Sequence, residues 1–297
     1  GTTDKTTWEY TTSLVGNQFV WIPCTEEEYH KTDWGSQYVH GGYDKSEPSQ
    51  EEIDKVKKYN GFYVARYEAG LADGISEYTE TQVSNGSNSP SGYNSVGNSK
   101  SKAGELPWIF IDYTNSKANA EKMYENNNFV TSGLITGTQW DVMLNKFIGT
   151  TNANELTLTE ADMKNSSKWG NYYIHSIPYK ARTAKCKRVS GNTWEITSFK
   201  KERNEGKTEK GVYTIYTTGG SKIAESYHIY DIAGNVWTWT EEIGGKSYND
   251  VNYNTHVRRG GSIVSLPSDE PVCYRFGYTS SSLVQFNLGF RVVLYIK

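Results

Sequence analysis

The sequence has no run of about 18 apolar residues, the length that a membrane-spanning helix needs. We therefore expect no membrane insertion within this chain. The formal net charge is only -3 over 297 residues, so no basic excess indicates a nucleic-acid partner. The chain opens at Gly1 without a charged, apolar signal segment, as expected if a signal or anchor has been removed.

Cysteine is scarce, and its spacing excludes the common zinc motifs. Cys24, Cys186 and Cys273 lie far apart with no Cys-x-x-Cys pair, so we expect no structural zinc site. At most one disulfide can form within the chain, and isolated buried thiols are the favoured interpretation. The histidines are also isolated, and we expect each to be a structural hydrogen-bonding residue. They are His30, His40, His175, His228 and His256.

Motifs of the well-known enzyme classes are absent as well. The chain has no Gly-x-Ser-x-Gly elbow, no phosphate-binding glycine loop and no His-Glu-x-x-His helix. A site assembled from distant segments needs no such motif. The sequence nevertheless favours a protein that is not an enzyme of a recognised type.

Aromatic and small residues are abundant instead. The chain has 23 tyrosines, 9 tryptophans and 28 glycines, and only 22% of its residues are charged. With its many Asn, Ser and Thr residues, this composition is typical of an irregular, loop-rich extracellular domain.

Local patterns predict one domain that carries insertions. Apolar strands are predicted at Phe19–Pro23 and 61–68. Capping boxes at Thr25 and Ser49 predict two short helices, the second ending at Asn60.

Further elements follow in the middle of the chain. A strand is predicted at 107–111, and Thr114 is expected to cap the next helix. Another helix follows Thr136, and its apolar stripe is expected to belong to the core. The stripe consists of Trp140, Met143, Leu144 and Phe147.

Two segments depart from this pattern. Residues 84–104 are almost entirely Ser, Asn, Gly and Lys, so we expect a flexible surface loop that contributes nothing to the core. Residues 165–222 predict a β-rich insertion, with a hairpin turn at 190–192 and a strand at 211–216.

Three phrases close the chain. Residues 231–240 read DIAGNVWTWT, residues 258–262 read RRGGS, and residues 287–293 read NLGFRVV. Alternation places Trp237 and Trp239 on one strand face, where both can be buried. In this order, the phrases resemble the formylglycine-generating enzyme/sulfatase-modifying-factor family, a branch of the C-type-lectin-like fold. The resemblance implies a single, loop-rich α+β domain.

The resemblance also bears on catalysis. Catalytic family members use two cysteines five residues apart; Cys273 resembles the second, but Ser268 stands at the position of the first. One thiol cannot form a paired-thiolate metal site, so copper-dependent oxidation is disfavoured. Thr238 replaces the Glu usual between the tryptophans, which removes a ligand from the family's calcium site. Asp231 remains a weak candidate for structural calcium, and no other cofactor is expected.

Another branch of the family, the variable proteins of diversity-generating retroelements, carries its mutable residues between the r-g-g-s and g-f-r phrases. The resemblance implies a variable, ligand-binding region at 258–297. In a strand, the aromatic residues at 274, 276 and 278 share one face, opposite Cys273, Arg275 and Gly277. The run 283–286 is the hardest to bury and is the better surface candidate. We expect ligand contacts at Ile263, Val264, Leu266, Val272, Tyr274, Phe276, Tyr278, Ser280, Ser282, Leu283, Val284 and Phe286.

These patterns predict a non-catalytic display protein, extracellular and carried on a cell surface or phage particle. Its ligand is expected to be a protein or glycan on another cell or a phage host. Two alternatives stay open. One is a formylglycine-generating-type oxidase or another enzyme using Cys273; the other is a structural cell-surface or pilus-like subunit.

Overall fold

The computed structural model describes residues 16–45, 48–79, 81–84, 89–152, 155–173, 177–205, 212–245 and 255–297. Within these ranges the helices are α1 (Gln50–Tyr59), α2 (Tyr113–Lys122), α3 (Gly137–Phe147) and α4 (Glu160–Lys164). The strands are β1 (Phe19–Pro23), β2 (Val39–His40), β3 (Gly61–Ala65), β4 (Thr81–Ser84), β5 (Val130–Leu134), β6 (Tyr179–Ser190), β7 (Thr193–Ile196), β8 (Lys200–Glu205), β9 (Val212–Tyr216), β10 (Glu225–Ser226), β11 (Ile229–Tyr230), β12 (Trp237–Ile243), β13 (Thr255–Arg259), β14 (Arg275–Ser280), β15 (Leu288–Phe290) and β16 (Val292–Ile296).

The first sheet brings the early strands against the last one. Its order is β1-β3-β16-β5, with neighbouring strands antiparallel. Helix α3 contributes to the same apolar cluster as β1, β3 and β16. Its stripe from Trp140 to Phe147 is buried, and Thr136 closes a capping box with Gln139. Both predicted strands and this core helix are therefore confirmed.

The second sheet carries the C-terminal phrases, in the order β15-β12-β13-β14-β2. Trp237 and Trp239 are both buried, as predicted from their alternation. Gly234, just before β12, has φ +76, and a side chain there would lie 2.2 Å from the carbonyl oxygen of Asn171. Only glycine fits this backbone crossing.

The third sheet has the order β4-β7-β6-β8, with β9 also paired to β6. The predicted turn at 190–192 joins β6 to β7. Segment 165–222 is not β-rich throughout: Ser166–Lys168 form a 3-10 helix, and Trp169 lies in the main core with its ring 6.2 Å from Phe147. Trp194 of β7 packs 4.8 Å from Phe286, so the third sheet is continuous with the core under the second.

The helix predicted at Thr25 is wrong. Thr25 and Glu28 do exchange both capping hydrogen bonds, at 3.0 and 3.3 Å, but only a turn follows. The Thr32 N–H and the Trp34 indole N–H donate instead to the carboxylate of Asp141. These contacts hold the backbone out of a helix. The Ser49 capping box does begin α1, which ends at Asn60 in the left-handed conformation.

Residues 107–111 are buried but form no strand. Phe110 has φ +58, and its N–H donates to the Gln285 carbonyl rather than to a neighbouring strand. The following helix is capped by Asp112, not by Thr114, because the Asp112 carboxylate accepts the N–H of Asn115.

The expectation that 84–104 contributes nothing to the core is also wrong, although residues 85–88 lie outside the described ranges. Tyr93 is 1% exposed, and its carbonyl accepts the indole N–H of Trp108. Ser101 is buried and donates to the Gln18 carbonyl. Polar residues enter the interior here because their hydrogen bonds are satisfied. No helix in the described ranges is long and apolar enough to cross a membrane.

Candidate binding surface

The second sheet has an inner face that is unusually rich in charge. Arg259 of β13 and Arg275 of β14 are buried, and each pairs with the carboxylates of Asp141 and Glu242. The Arg259–Asp141 separation is 2.7 Å, and Glu242 lies 3.2 Å from each arginine. Burial alone would raise the pKa of Asp141, but the two arginines outweigh it and lower that pKa. We call these four residues the buried charge quartet; it fixes α3 to β12, β13 and β14.

On the opposite face of the same strands, which also carries the buried Trp237 and Trp239, Arg258 lies against two aromatic rings. Its guanidinium carbon is 4.2 Å from the ring centre of Phe276 and 4.7 Å from that of Trp237. Nη1 donates to Oε1 of Gln285 at 2.7 Å. Nε is buried and has no acceptor among the described residues.

Arg258 remains a cation at neutral pH. Burial lowers its pKa to about 10, while the charges of Glu270 and Tyr274 act to raise it. Sequence reasoning missed Arg258 as a site residue. The available signal was alternation, because neighbouring residues of a strand lie on opposite faces of the sheet, so Arg258 cannot share the face of Arg259.

The predicted contact residues fall into three groups by exposure. Exposed side chains are those of Leu266, Ser280 and Ser282; half-buried ones are those of Val264, Tyr274, Phe276 and Leu283. Buried ones are those of Ile263, Val272, Val284 and Phe286. Tyr278 lies in β14, and its side chain is outside the described part of the structure.

The predicted surface position of the run 283–286 is therefore wrong for Val284 and Phe286. Phe286 is 1% exposed because Trp194 of the third sheet covers it, and Val284 is 7% exposed. Alternation along β14 is confirmed: Cys273 and Arg275 are buried, whereas Tyr274 and Phe276 are half-buried. The structure thus brings Arg258, Phe276 and Tyr274 together around the edge of Trp237. We call these three residues the outer patch.

The cysteines are buried free thiols. Burial raises the pKa of Cys273 to about 12 and that of Cys24 to about 12, and it also raises the pKa of Cys186. Ser268, at the position of the family's other catalytic cysteine, is exposed and bonds to Asp269. A copper ion held by two thiolates does not fit these residues, because one of the two sulfurs is replaced by a hydroxyl and the other thiol is neutral.

Calcium does not fit at Asp231 either. Its side chain is buried; Oδ2 accepts the N–H of Gly219, and Thr238 supplies no carboxylate. Burial raises the pKa of Asp231 to about 7, and the opposing cation is the guanidinium of Arg291. A hard divalent ion prefers several ionised oxygens and no neighbouring cation.

Histidines do not assemble into a metal site in the described ranges. His256 is buried, stacks 3.4 Å from the ring of Tyr113 and bonds to Ser281. Burial lowers its pKa to about 4. His175 lies outside the described residues.

Comparison with known proteins gives one strong result. The model of the family described as the sulfatase-modifying factor enzyme 1-like domain matches residues 18–296. Among curated proteins there is no match.

Two solved structures are similar at low sequence identity. The first is CarF, at 11% identity and a TM-score of 0.49, covering 96% of this chain and 100% of that chain. The second is Treponema denticola variable protein 1, at 17% identity and a TM-score of 0.37, covering 78% of this chain and 95% of that chain. At these TM-scores neither similarity bears on the function of this chain.

Proposed function

Since the chain belongs to the sulfatase-modifying factor enzyme 1-like family and has its single-domain, C-type-lectin-like α+β fold, we propose that it is a non-catalytic member that binds a protein or glycan ligand through its C-terminal face. The outer patch is the observation that carries this proposal. It sets half-buried aromatic rings beside a cation on a sheet whose other face is locked by the buried charge quartet. Rigid aromatic contacts on a fixed framework are typical of binding surfaces.

The state of Cys273 supports a non-catalytic role. Copper chemistry in the family's catalytic members needs thiolates, whereas this thiol is buried and its pKa is raised to about 12. A neutral, covered thiol is neither a good nucleophile nor a good metal ligand.

The place of the outer patch in the chain supports a display role. Arg258, Tyr274 and Phe276 all lie between the RGGS and GFR phrases or at their border, within 258–297. By its resemblance to variable proteins of diversity-generating retroelements, this region would be the variable one, displayed on a cell surface or phage particle. A near-identical copy of the 3′ coding end beside a reverse-transcriptase gene is the expected genomic sign. A neighbourhood without either element would contradict diversification but not binding.

Binding is tested with substitutions that leave the core untouched. The intact chain is screened against arrays of cell-surface proteins and of glycans, and the affinity of each hit is measured. Leu266→Glu and Ser282→Glu alter exposed side chains of the predicted contact set and are expected to weaken binding at least tenfold. Phe129→Glu is the matched control, because Phe129 is 78% exposed and lies just before β5. Equal affinity for all three variants would refute a C-terminal binding face.

Copper titration tests the catalytic alternative. We expect no stoichiometric copper uptake by the native chain and no difference between the chain and its Cys273→Ser variant. Uptake that Cys273→Ser abolishes, together with turnover of a peptide substrate, would instead establish an oxidase. Concentration-dependent polymerisation without a diffusible ligand would establish a structural subunit.

A further inference from the structure

We propose that Arg258 is the anchor of the outer patch for a carboxylate, supplied by an acidic residue of a partner protein and flanked there by an apolar side chain. This inference rests on the proposed binding function and specifies the ligand chemistry of the same face. Arg258 differs from its neighbours Arg259 and Arg275 in the ion pairs that it forms. Arg259 and Arg275 each pair with two carboxylates. Arg258 forms an ion pair with none of the described residues.

Arg258 is already oriented for an incoming anion. Its guanidinium rests against the rings of Phe276 and Trp237 at 4.2 and 4.7 Å, and Nη1 is fixed by Gln285. Among the described residues, Nη2 and Nε have no hydrogen-bond acceptor, and Nε is buried. An immobilised side chain loses little further entropy on binding, so a larger share of the interaction energy appears as affinity.

The geometry of the guanidinium favours a carboxylate. Because Nε is buried, an incoming carboxylate reaches the guanidinium through Nη2, which can donate a charge-assisted hydrogen bond to one of its oxygens. The two rings that contact Arg258 displace water from part of its surface, which strengthens such a pair relative to one in bulk solvent. Glu270 is the acidic group whose charge acts on Arg258, and its Oε2 accepts the Ser265 hydroxyl.

The surroundings favour a peptide over a sugar. Tyr274 and Phe276 are half-buried and lie 6.3 and 6.1 Å from the ring of Trp237, so they offer apolar area directly beside the cation. Leu266, 38% exposed, adds aliphatic surface on the same C-terminal segment. The side-chain amide of Gln285 accepts a hydrogen bond from Arg258. An acidic glycan would need more donors and acceptors for its hydroxyls.

The test is a random peptide library displayed on phage and panned against the immobilised intact chain. We expect the selected peptides to be enriched in Asp or Glu next to an aromatic or large aliphatic residue. Arg258→Gln is expected to lower their affinity at least tenfold, and Arg258→Lys to lower it less, because lysine keeps the charge but not the planar fork. Arg188→Gln is the matched control: Arg188 is an exposed arginine on β6, and its loss is expected to leave affinity unchanged.

A second arm does not depend on how the variants fold. Replacing the acidic residue of a selected peptide by its amide is expected to reproduce the loss seen with Arg258→Gln. Far-ultraviolet circular dichroism of each protein variant identifies any general unfolding.

Four outcomes would overturn the inference. They are selected peptides without acidic enrichment, unchanged affinity on amide replacement, no peptide above background, and binding of uronic-acid oligosaccharides in place of peptides. If non-acidic peptides bind and lose affinity with Leu266→Glu, the proposed binding face stands and only the role of Arg258 fails. If no ligand responds to either change, both proposals fail.

Discussion

At the scale of single residues, we expect substitutions in the buried charge quartet to have the largest effect on the free energy of unfolding. The carboxylate of Asp141 accepts hydrogen bonds from Arg259, Arg275, the Trp34 indole N–H and the Thr32 N–H. Replacing Asp141 by Asn leaves two buried guanidinium groups partly unpaired, so we expect a loss of about 3–5 kcal/mol in the free energy of unfolding. Urea unfolding measures it. The control Glu28→Gln removes the charge of the half-exposed pair with Lys146 while keeping an amide oxygen that can accept the Thr25 N–H, and it is expected to cost less than about 1 kcal/mol. Equal costs would show that the quartet contributes no more than a surface pair.

The raised pKa of Asp231 predicts that stability falls as the pH rises. A carboxylate that is paired with a cation has the opposite effect. Burial raises its pKa from 3.8 to about 7, and burial with the nearby charge of Asp231 raises the pKa of Glu68. The folded chain therefore binds the proton on the Asp231 carboxyl group more tightly than the unfolded chain does. The stability contribution is complete below about pH 4 and is lost as the pH rises towards about 7.

The corresponding variant is Asp231→Asn, which cannot ionise. Between pH 4.5 and pH 7.5 its free energy of unfolding should fall less than that of the unmodified chain, by a difference on the order of 2 kcal/mol. Urea unfolding at the two pH values measures the difference. Asp54→Asn, at an exposed position on α1, is expected to keep the unmodified dependence. A steeper fall for Asp231→Asn would reverse the assigned sign.

The residue scale also shows what local pattern can and cannot reveal. Alternation alone separates Cys273 and Arg275 from Phe276, as predicted, but it did not say which of the two faces is buried. Burial of Phe286 did not follow, because it depends on Trp194, which is 92 residues earlier in the sequence and belongs to another sheet. The role of Arg258 depends likewise on rings from β12 and β14.

At the scale of elements, two capping boxes with the same chemistry have different outcomes. Ser49 caps the 10-residue helix α1, whereas Thr25 closes only a turn. We expect Ser49→Ala to cost about 1 kcal/mol, because it leaves a helical N–H without its acceptor. Thr25→Ala should cost less, since no helix depends on it. Urea unfolding of the two variants compares them; a larger cost for Thr25→Ala would contradict the assignment.

Elements whose hydrophobic period is clear were predicted well, and irregular ones were not. The α3 stripe and the strands β1 and β3 needed only local pattern. Residues 107–111 are apolar enough for a strand, but their backbone groups bond to separate segments, including Ala69 and Gln285. Tyr93 is a single aromatic residue in a polar segment, and its burial depends on the rings of Tyr78 and Phe110, 5.6 and 6.0 Å away. Neither residues 107–111 nor the segment around Tyr93 has a hydrophobic period that could be detected in the sequence.

At the scale of the whole molecule, the family and the C-type-lectin-like fold expected from the closing phrases are confirmed. The reason lies in the order of the phrases: 231–240, 258–262 and 287–293 supply adjacent strands of one sheet. Arg291 then ties this sheet to the first, donating to the carbonyls of Ala65 and Tyr230. The third sheet was foreseen as an insertion, but not its union with the main core.

That union makes a prediction about cooperativity. Trp194 of β7 is 7% exposed, and its ring lies 4.8 Å from Phe286 and 5.3 Å from Tyr213. Because the second and third sheets share an apolar cluster, unfolding should be one transition, with far- and near-ultraviolet circular dichroism coinciding. Trp194→Ala should lower the single midpoint, at a cost of about 3–5 kcal/mol.

The matched control is Trp21→Ala on β1, where the indole is only half-buried against Tyr63, 4.8 Å away. Its cost should be smaller, since less apolar area is lost from the interior. Two separate transitions, of which Trp194→Ala moves only one, would mean that the third sheet folds as its own unit. In that case Phe286 would become accessible whenever the third sheet opened, and the binding face would extend beyond the outer patch. A single transition keeps Phe286 in the core and confines the face to Arg258, Tyr274, Phe276 and their exposed neighbours.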